Sequence, residues 1–478
     1  MTQRNIRMIT AAAFAALQQG RFAEARDLAA GHEDAALRLL HALGRAGAGA
    51  VVPAAAALDA IAGANPAARH PVHDLVELLH RAHRSGEAPA HLRAALALRP
   101  GDPGLQAALA AALSEHGDID EVAALFRRVT EVRPGDADAW SNLGKVEAVR
   151  GRTATAEAAF SQARTLAPGN AQVRLNHAVA RLRCGDFGAG WALFRARHAL
   201  HGRPAPLPGP ELTSLEGVAG RTLLLVHDEG FGDTLQFIRY APLLTGLGAR
   251  VLALVPPPLQ RLLSENGIET VQSVPKHDAW CRIPDLPAVF GTTLAEIPHR
   301  LPYLAAPSSR AARWSEMLPP GRRVGLVWAG AARTHDPAAT ATDRVRSIRP
   351  ERLRPLLAAP GIAWVSLQHG AAPPPGVFDP MPGVTDFADT AAIIASLDAV
   401  VSVDTAVAHL AAAMGRRVLL LDRFDNCWRW LSGRADSPWY PGVLHILRQP
   451  RPGDWDDVLR RAVLALAASA EPRPSSRP

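Results

Sequence analysis

The sequence has almost no lysine. Lys occurs only at Lys145 and Lys276 in 478 residues, so Arg supplies nearly all of the 52 basic residues. These exceed the 45 acidic residues by a formal charge of +7, but they are interspersed with Asp and Glu and form no basic-aromatic stripe. Because nucleic-acid binding relies on a clustered basic surface, this distribution argues against a nucleic-acid partner.

Cysteine and long apolar runs are also scarce. Cys184, Cys281 and Cys427 lie far apart and form no CxxC pair, which argues against a disulfide framework or a zinc knuckle. His335 and Asp336 are adjacent but lack further ligands at metal-binding spacing. The sequence has no run of 18 uncharged apolar residues, so we expect neither a membrane span nor a secretory signal. These absences favour a cytoplasmic protein.

The composition indicates globular domains. Apolar types make up 48% of the residues and charged types 20%, which is enough apolar material for buried cores. A chain of 478 residues is too long for one ordinary domain and suits two or three.

The first 200 residues repeat with a period of 34. Turns recur around the prolines Pro66, Pro100, Pro134 and Pro168, and around the glycines Gly117, Gly151 and Gly185. Each period therefore predicts two helices and two turns. Because one such unit cannot bury its apolar face alone, the units are expected to stack.

Within one unit, large residues alternate with small ones. The large residues are Trp140, Leu143, Phe160 and Leu166, and the small ones are Gly144, Ala156 and Ala163. This pattern resembles the tetratricopeptide repeat (TPR) over about residues 65–200, which implies a superhelix whose concave groove binds a protein segment. The alternative is a spacer or a dimerisation arm. The last unit carries Phe187, Trp191 and Phe194, which we expect to form the seam to the next domain.

From Arg221 onward, short apolar runs alternate with helical segments, which is typical of parallel α/β sheets. The candidate strands are 222–226, 251–255, 324–328, 363–367, 399–403 and 417–421. A weak region at about 304–322 divides them into two Rossmann-like lobes with a cleft between them. Ligands of such sheets bind at the carboxyl ends of the strands, so the loops there are the candidate sites.

The first such loop, residues 226–237, runs from a strand into a helix. Gly230 and Gly232 permit close approach of the backbone, and Asp233 could accept a proton from an attacking hydroxyl. Asp233 followed by Gln236 is equally typical of a helix cap. From the residues alone both interpretations stay open.

The second loop, residues 402–415, also follows an apolar strand. Thr405 and His409 lie four residues apart on one helical face, and the helix start near Asp404 and Ala406 offers backbone N–H groups to an anion such as a diphosphate. The alternative makes Asp404 a helix cap and His409 a satisfied polar residue.

Together the two loops carry a resemblance. GDTLQFIRYAPLL and VDTAVAHLAAAMG look like the paired signatures of the glycosyltransferases that include bacterial heptosyltransferases. The stretches GDFGAGWALF, GLVWAG, DRVRS, WRWL, DSPWYPG and LRQPRPGDW look like the version fused to TPR repeats. The arrangement is similar to bacterial protein glycosyltransferases and, more distantly, to the O-linked N-acetylglucosamine transferase. It implies a GT-B fold, a nucleotide-sugar donor and no obligatory metal.

The resemblance also implies roles for single residues. Asp233 matches the catalytic base, and Asp404, Thr405 and His409 match the donor-binding segment. We include Gly230, Gly232 and Ala406 in the donor site because they belong to the same two loops.

Arginine is the candidate for neutralising the leaving group, because lysine is nearly absent. The loop after GLVWAG offers Arg333, Arg344 and Arg346 with Ser347, and a guanidinium can grip a diphosphate in a bidentate manner. A solvated loop is the alternative. Gln368, before the His369 that stands where the family often has Lys, is a further candidate donor contact.

The aromatic segment at 427–442 is the last candidate region of the site. Trp428 and Arg429 are expected to contact the donor, since an aromatic ring beside the cleft could stack on a base or sugar. Core packing explains Trp430 equally well.

The leading hypothesis is an inverting, metal-independent glycosyltransferase that moves a sugar from a nucleotide-sugar to Ser or Thr hydroxyls of a protein recruited by the repeats. The resemblance suggests flagellin as the acceptor. One alternative is a lipid-linked or polysaccharide acceptor, against which the lack of a basic amphipathic anchor argues. Another is a scaffold without catalysis.

The predicted fold is an all-α TPR superhelix followed by an α/β GT-B fold of two Rossmann-like lobes. The predicted segments are degenerate helical repeats at 1–64, the superhelix at 65–203, a linker at 204–220, an N-terminal lobe at 221–305, an interlobe connection at 306–322, a C-terminal lobe at 323–470 whose final helix crosses back to the first lobe, and a disordered tail at 471–478.

Overall fold

The structure is a computed structural model that describes residues 3–65, 68–82, 84–114, 118–200, 206–330 and 337–468, with the backbone alone at 337–341. The predicted turns at Pro66 and Gly117, the candidates Arg333, His335 and Asp336, and the predicted tail lie outside these residues. The chain forms two compact units, Met1–Gly169 and Asn170–Pro478.

The first unit is helical. Its helices are α1 (Gln3–Gln18), α2 (Phe22–Leu28), α3 (Ala35–Gly47), α4 (Val51–Ala64), α5 (Val72–Arg81), α6 (Ala88–Leu98), α7 (Pro103–Leu113), α8 (Ile119–Val132), α9 (Ala137–Val149) and α10 (Thr153–Leu166). From α6 onward the helices alternate as the period of 34 predicts: α7 packs on α8, α8 on α9, and α9 on α10. The predicted repeat of two helices is confirmed.

Local sequence explains where these helices begin and how closely they pack. Asp102 and Asp136 accept hydrogen bonds from backbone N–H groups in the first turns of α7 and α9, so each acts as a helix cap. A Cβ atom added to Gly144 would lie 2.9 Å from the Phe160 ring, so the predicted alternation of small and large residues lets α9 and α10 approach closely.

The second unit starts with a helical hairpin and continues as an α/β region. The hairpin consists of α11 (Ala171–Arg183), α12 (Phe187–Phe194) and a 3-10 turn at Arg195–Ala199. Gly185 joins the two helices with a φ of 85°, a left-handed conformation that favours glycine. Although the 34-residue period includes this hairpin, it belongs to the same compact unit as the α/β region.

Two parallel sheets form the α/β region, in agreement with the predicted fold class. The first sheet contains β1 (Thr222–Val226), β2 (Arg250–Leu254), β3 (Glu269–Val271) and β4 (Ala279–Arg282) in the order β3-β2-β1-β4. The second contains β5 (Arg322–Val327), β6 (Ile362–Ser366), β7 (Ala399–Val403), β8 (Val418–Asp422) and β9 (Leu444–Arg448) in the order β6-β5-β7-β8-β9.

Helices cover both sheets. They are α13 (Phe231–Phe237), α14 (Ala241–Gly246), α15 (Pro257–Glu265), α16 (Leu286–Val289), α17 (Ser308–Met317), α18 (Pro337–Arg346), α19 (Arg354–Leu357), α20 (Phe387–Ala395), α21 (Ala406–Ala413) and α22 (Trp455–Ala467). No helix of the described ranges is long and apolar enough to cross a bilayer.

The prediction that the final helix crosses back to the first lobe is wrong. The apolar face of α22, including Trp455, Val458 and Leu459, belongs to the core of the second sheet with Leu419 and Leu447. α22 packs on α19, β8 and β9. Its apolar stripe is thus buried beside the strand that immediately precedes it.

Candidate functional site

The two predicted loops lie side by side. β1 leads through residues 227–230 into α13, and β7 leads through Asp404 and Thr405 into α21. A Cβ atom added to Gly232 would lie 3.0 Å from His409 Cδ2 and 3.5 Å from Ala406 Cα. The absence of a side chain at Gly232 therefore lets α13 pack directly on the start of α21.

Asp233 uses both of its carboxylate oxygens. As the third residue of α13, it accepts a hydrogen bond at Oδ2 from the Gly230 N–H, at 2.9 Å. Its Oδ1 accepts a hydrogen bond from Arg429 and forms an ion pair with it. The Asp233 side chain is 14% exposed. The structure thus makes Gly230, and not Asp233 as the D-x-x-Q pattern suggests, the N-cap residue, and Asp233 binds it from the third position of the helix. The other oxygen of Asp233 faces the segment between β8 and β9.

Arg429 lies in a short turn, Trp428–Trp430, after β8. Its Nη1 also donates to Cys427 Sγ at 3.2 Å, and its guanidinium lies 4.4 Å from the centroid of the Trp428 ring. Burial disfavours the charge, but the Asp233 carboxylate, followed by Cys427 and Asp404, outweighs burial and raises the pKa of Arg429. Arg429 is therefore a fixed positive charge at the candidate site.

His409 is buried beneath both loops. Its ring stacks on Trp430 with centroids 4.8 Å apart, and Nδ1 lies 2.9 Å from the Tyr440 hydroxyl. Burial, together with the charge of Arg429, lowers the pKa of His409 to about 3. His409 is consequently a neutral residue that supports the packing of α21. This agrees with the alternative in which His409 is a satisfied polar residue.

Arg346 connects the loop after β5 with the start of α21. Its Nη1 donates to the Asp404 carbonyl at 2.9 Å, and its side chain forms an ion pair with Asp343. Its guanidinium lies over Gly330, where a Cβ atom would collide with it. Ser347 Oγ accepts a hydrogen bond from the Gly330 N–H at 3.1 Å. The predicted phosphate-binding residues Arg346 and Ser347 thus lie at the carboxyl edge of the second sheet.

The start of α21 differs in detail from the alternative in which Asp404 caps it. Thr405 is the N-cap residue, and its Oγ1 lies 3.0 Å from Ser402 Oγ. The backbone of Asp404 instead receives Arg346. The Thr405 side chain makes no capping hydrogen bond to the first N–H groups of α21, which begin at Ala406.

Gln368 and Arg344 are the two remaining candidate residues of the donor site. Gln368 Oε1 accepts hydrogen bonds from the N–H groups of Trp328 and Ala329, at 3.2 and 2.9 Å, and the residue is buried. The Gln368 side chain therefore holds the loop after β5 in place instead of facing a nucleotide-sugar. Arg344 lies half-buried in the last turn of α18.

The expectation that Trp428 stacks on the donor is wrong for this structure. Trp428 is buried in an aromatic cluster whose members are Phe187, Trp191, Phe194, Phe237, Trp428 and Trp439. The centroid of its ring lies 5.4 Å from that of Trp191 and 5.6 Å from that of Phe194. The aromatic residues of α12 thus pack against the α/β region as predicted, and they cover the Trp428 ring.

A cavity of about 520 Å³ opens at the carboxyl ends of β1 and β2. Its lining includes Val226, His227, Val255, Pro256 and Gln272. His227 Nδ1 lies 2.8 Å from Thr234 Oγ1, next to Asp233 in α13, and burial lowers the pKa of His227. The cavity therefore begins in the same loop that supplies Asp233.

His198, Glu211 and Asp285 bring one ligand atom each within 4.8 Å of one another. Arg197 lies 2.7 Å from Asp285, and Arg195 lies 2.6 Å from Glu211. These guanidinium groups already neutralise both carboxylates, so the cluster is a poor match for a cation.

Sequence reasoning missed Arg239, and it singled out Tyr440 only as one member of the aromatic segment 427–442. Arg239 Nη1 donates to the Trp439 carbonyl at 2.7 Å, and its guanidinium lies 4.7 Å from the centroid of the Tyr440 ring. Tyr440 in turn contacts His409. Both lie in stretches that carry the family resemblance, and a buried arginine beside aromatic residues leaves no periodic signal in the sequence.

Comparisons with known proteins agree with both halves of the resemblance. The tetratricopeptide repeat family matches residues 79–146, and glycosyltransferase family 9 (heptosyltransferase) matches residues 380–422. The chain thus contains one segment that matches the tetratricopeptide repeat and another that matches glycosyltransferase family 9. That segment contains Asp404, Thr405 and His409, whereas Asp233 lies outside it.

The protein FlbA of Caulobacter vibrioides is 26% identical over 338 residues, which cover 62% of this chain and 55% of FlbA. The chain therefore spans about half the length of this curated relative. MamA from Desulfovibrio magneticus RS-1 is 17% identical, with a TM-score of 0.24 over 36% of this chain and 98% of that chain. YrrB, a TPR protein with an unusual peptide-binding site, is 18% identical, with a TM-score of 0.26 over 35% of this chain and 87% of that chain. TM-scores of this size support no argument about function.

Proposed function

We propose that this protein is a glycosyltransferase that moves a sugar from a nucleotide-sugar to Ser or Thr hydroxyls of a protein acceptor. The observation that carries the proposal is the contact between the two signature loops. It brings a carboxylate, Asp233, beside Arg429 and the start of α21. A glycosyl transfer needs a base at the hydroxyl and positive charge at the departing diphosphate, and these groups supply both.

In the proposed reaction, the acceptor hydroxyl attacks the anomeric carbon of the donor. Asp233 takes the hydroxyl proton as the new C–O bond forms, and the bond from the anomeric carbon to the diphosphate oxygen breaks. The nucleoside diphosphate leaves with the bonding electron pair. One displacement of this kind inverts the anomeric configuration and requires no metal.

Arg346, Arg429 and the first N–H groups of α21 would hold the diphosphate. Arginine suits this role because its planar guanidinium can donate two parallel hydrogen bonds to phosphate oxygens. A helix N-terminus adds a partial positive charge. The two α/β sheets would then act as the lobes of a GT-B fold, with the donor on the second sheet.

Arg429 has two competing partners in this proposal. Without the donor it holds Asp233 Oδ1, whereas a bound diphosphate offers it a stronger anion. Transfer of the guanidinium to the diphosphate would release Oδ1 to accept a proton, while Oδ2 stays bound to the Gly230 N–H. Donor binding would thereby activate the base.

The repeats would recruit the acceptor, and flagellin is the first acceptor to test because the sequence resembles bacterial protein glycosyltransferases. The cavity beside His227 lies next to the Asp233 loop and has apolar and uncharged polar walls, which favours a polypeptide segment over an anionic sugar.

Asp233→Asn tests the proposal. The amide keeps an oxygen for the Gly230 N–H, so the fold should persist, but it cannot accept the hydroxyl proton. We expect a loss of about 10²- to 10⁴-fold in transfer. The readout is the intact mass of flagellins and other candidate acceptors from cells with the wild-type gene, without it, and with Asp233→Asn.

Asp436→Asn is the matched control, because Asp436 also pairs with an arginine, Arg434, but is largely exposed. A sugar-sized mass should be lost in the deletion and in Asp233→Asn and retained in Asp436→Asn. Unchanged masses in every strain would refute a protein acceptor. Release of nucleoside diphosphate by the purified protein with a glycan acceptor would then favour the polysaccharide alternative.

A further inference from the structure

The guanidinium of Arg197 faces three carboxylates in the interior of the second unit. Nη1 lies 2.7 Å from Asp285 Oδ1, Nη2 lies 3.7 Å from Asp228 Oδ2, and Nε lies 3.5 Å from Glu229 Oε1. The side chain of Arg197 is 1% exposed. Its other face covers the Phe194 ring, with the guanidinium carbon 4.4 Å from the ring centroid.

Two of these carboxylates belong to the loop that leads to Asp233. Asp228 and Glu229 directly follow His227 in the connection from β1 to α13, and Gly230 completes it. Glu229 has a φ of 66°, a left-handed conformation that a residue with a side chain rarely adopts. Such a conformation persists where the surrounding structure holds it, and it concentrates at functional sites.

Burying this network disfavours folding unless it also fixes a particular geometry. Removing several charges from water carries a desolvation penalty that their attraction often fails to recover. Apolar residues in place of the whole network would avoid that penalty, whereas replacing Arg197 alone keeps the carboxylates and removes the cation that they share. Fixing the position of the loop 227–230 therefore explains the ion-pair network around Arg197 better than a gain in stability does.

We propose that Arg197 is a positioning residue for Asp233: it anchors the loop 227–230 to the helical hairpin through Asp228 and Glu229. The inference rests on the proposed function for its kinetic consequence. The anchor sets where the Gly230 N–H lies, and this N–H holds Asp233 Oδ2. Loss of the anchor leaves the carboxylate present but misplaced, and a shift of about 1 Å can lower a rate about 100-fold.

The test compares Arg197→Met with Arg195→Met. Both arginines lie in the 3-10 turn at Arg195–Ala199, but the ion pair of Arg195 is with Glu211, outside the loop. We expect Arg197→Met to lower kcat about 10- to 100-fold with the donor KM within about threefold of wild type. Arg195→Met should retain wild-type kcat, and Arg197→Lys should restore part of the loss because one charge returns.

Hydrogen exchange of the backbone amides at 228–234 provides a readout that does not depend on activity. Arg197→Met should raise exchange in this segment relative to wild type, while the strands β6 and β9 keep their protection. Glu229→Gln weakens the anchor from the loop side, where the Glu229 side chain is 28% exposed, and it tests the anchor if Arg197→Met fails to fold. It should raise exchange in the same segment.

The outcomes separate the two proposals. Wild-type exchange and wild-type kcat in both Arg197→Met and Glu229→Gln would overturn the positioning role. If the wild-type protein transfers no sugar but exchange rises as expected, the anchor stands and the proposed function fails. A uniform rise in exchange across the whole unit would also overturn the positioning role, because it would indicate a general loss of stability.

Discussion

His409 illustrates how burial removes the chemistry that its side chain suggests. A histidine four residues after Thr405 at a candidate phosphate site could serve as a cation or as a proton carrier. In the structure it stacks on Trp430, contacts the Tyr440 hydroxyl and has a pKa of about 3. A neutral imidazole cannot neutralise a diphosphate, so in the proposed function this charge would come from Arg346, Arg429 and the start of α21.

This lowered pKa has a consequence for stability. Below pH 6.5 the unfolded chain protonates His409 while the folded protein does not, so acid favours unfolding. The contribution of His409 is full above pH 6.5 and is lost as the pH falls toward 3, with a slope of up to about 1.4 kcal/mol per pH unit. We therefore expect His409→Gln to flatten the acid side of the stability curve, measured by urea unfolding from pH 4.5 to 7.

The comparison must be made against wild type at each pH. Burial raises the pKa of Asp422 to about 7, and this acts in the opposite direction because the folded protein holds that proton more tightly. His445→Gln makes the same substitution at an exposed position and serves as the control. Parallel curves for wild type and His409→Gln would contradict the prediction.

At the scale of elements, the contact between α13 and α21 depends on one missing side chain. In Gly232→Ala the new Cβ atom would lie 3.0 Å from His409 Cδ2, tighter than ordinary packing, so the two helices must separate by a few tenths of an ångström. We expect a destabilisation of about 1–2 kcal/mol. Transfer should fall at least about 10-fold, since Asp233 moves relative to the start of α21.

Gly246→Ala is the matched control for this substitution. Gly246 is the last residue of α14, is exposed, and has open space where a Cβ atom would lie. Thermal unfolding and transfer rates of the two variants should therefore differ clearly. Equal activity in both would show that the close approach at Gly232 is irrelevant to the reaction.

The elements also show what could be predicted from the sequence. β1, β2 and β5 to β8 were predictable because each carries a continuous apolar run with several buried residues. β3 spans three partly exposed residues, β4 ends in the buried Arg282, and β9 alternates around the exposed His445. None of these three carries the run of apolar residues that marked the others.

The residues of the candidate site were likewise predictable only where a local motif marks them. Asp233, Asp404 and His409 could be selected because each lies in a local motif after a strand. Trp428 was misassigned because its neighbours, Trp191 and Phe194, come from a helix more than 200 residues earlier in the chain. Tertiary contacts of this kind decide whether an aromatic ring faces a ligand or a core, and local pattern contains no record of them.

At the scale of the molecule, the helical hairpin is part of the α/β unit although its sequence continues the repeat. Ser432 donates its backbone N–H to the Arg183 carbonyl at 2.9 Å, and Arg183 Nη2 donates to the Asp425 carbonyl at 3.3 Å. With Trp191 and Phe194 on Trp428 and Arg197 on Glu229, the hairpin contacts the segments that carry both Arg429 and Asp233. A sequence boundary at the predicted linker would separate residues that fold together.

Two truncations test this boundary. A chain of residues 170–478 keeps the hairpin and should fold with a sharp unfolding transition. A chain of residues 204–478 removes α11, α12 and the turn at Arg195–Ala199, which uncovers Trp428 and Trp439 and leaves Asp285 without Arg197. Loss of even two large aromatic contacts costs about 3–5 kcal/mol each, which is comparable to the total stability of about 5–15 kcal/mol of an ordinary domain. We expect the shorter chain to be insoluble or to lack the near-ultraviolet circular dichroism of packed tryptophans, and to lose nucleoside diphosphate binding.

The contradicting outcome is a shorter chain whose free energy of unfolding lies within about 1 kcal/mol of that of the longer chain. The hairpin would then contribute little to the stability of the α/β region, and residues within the two sheets would have to hold the Asp233 loop in place.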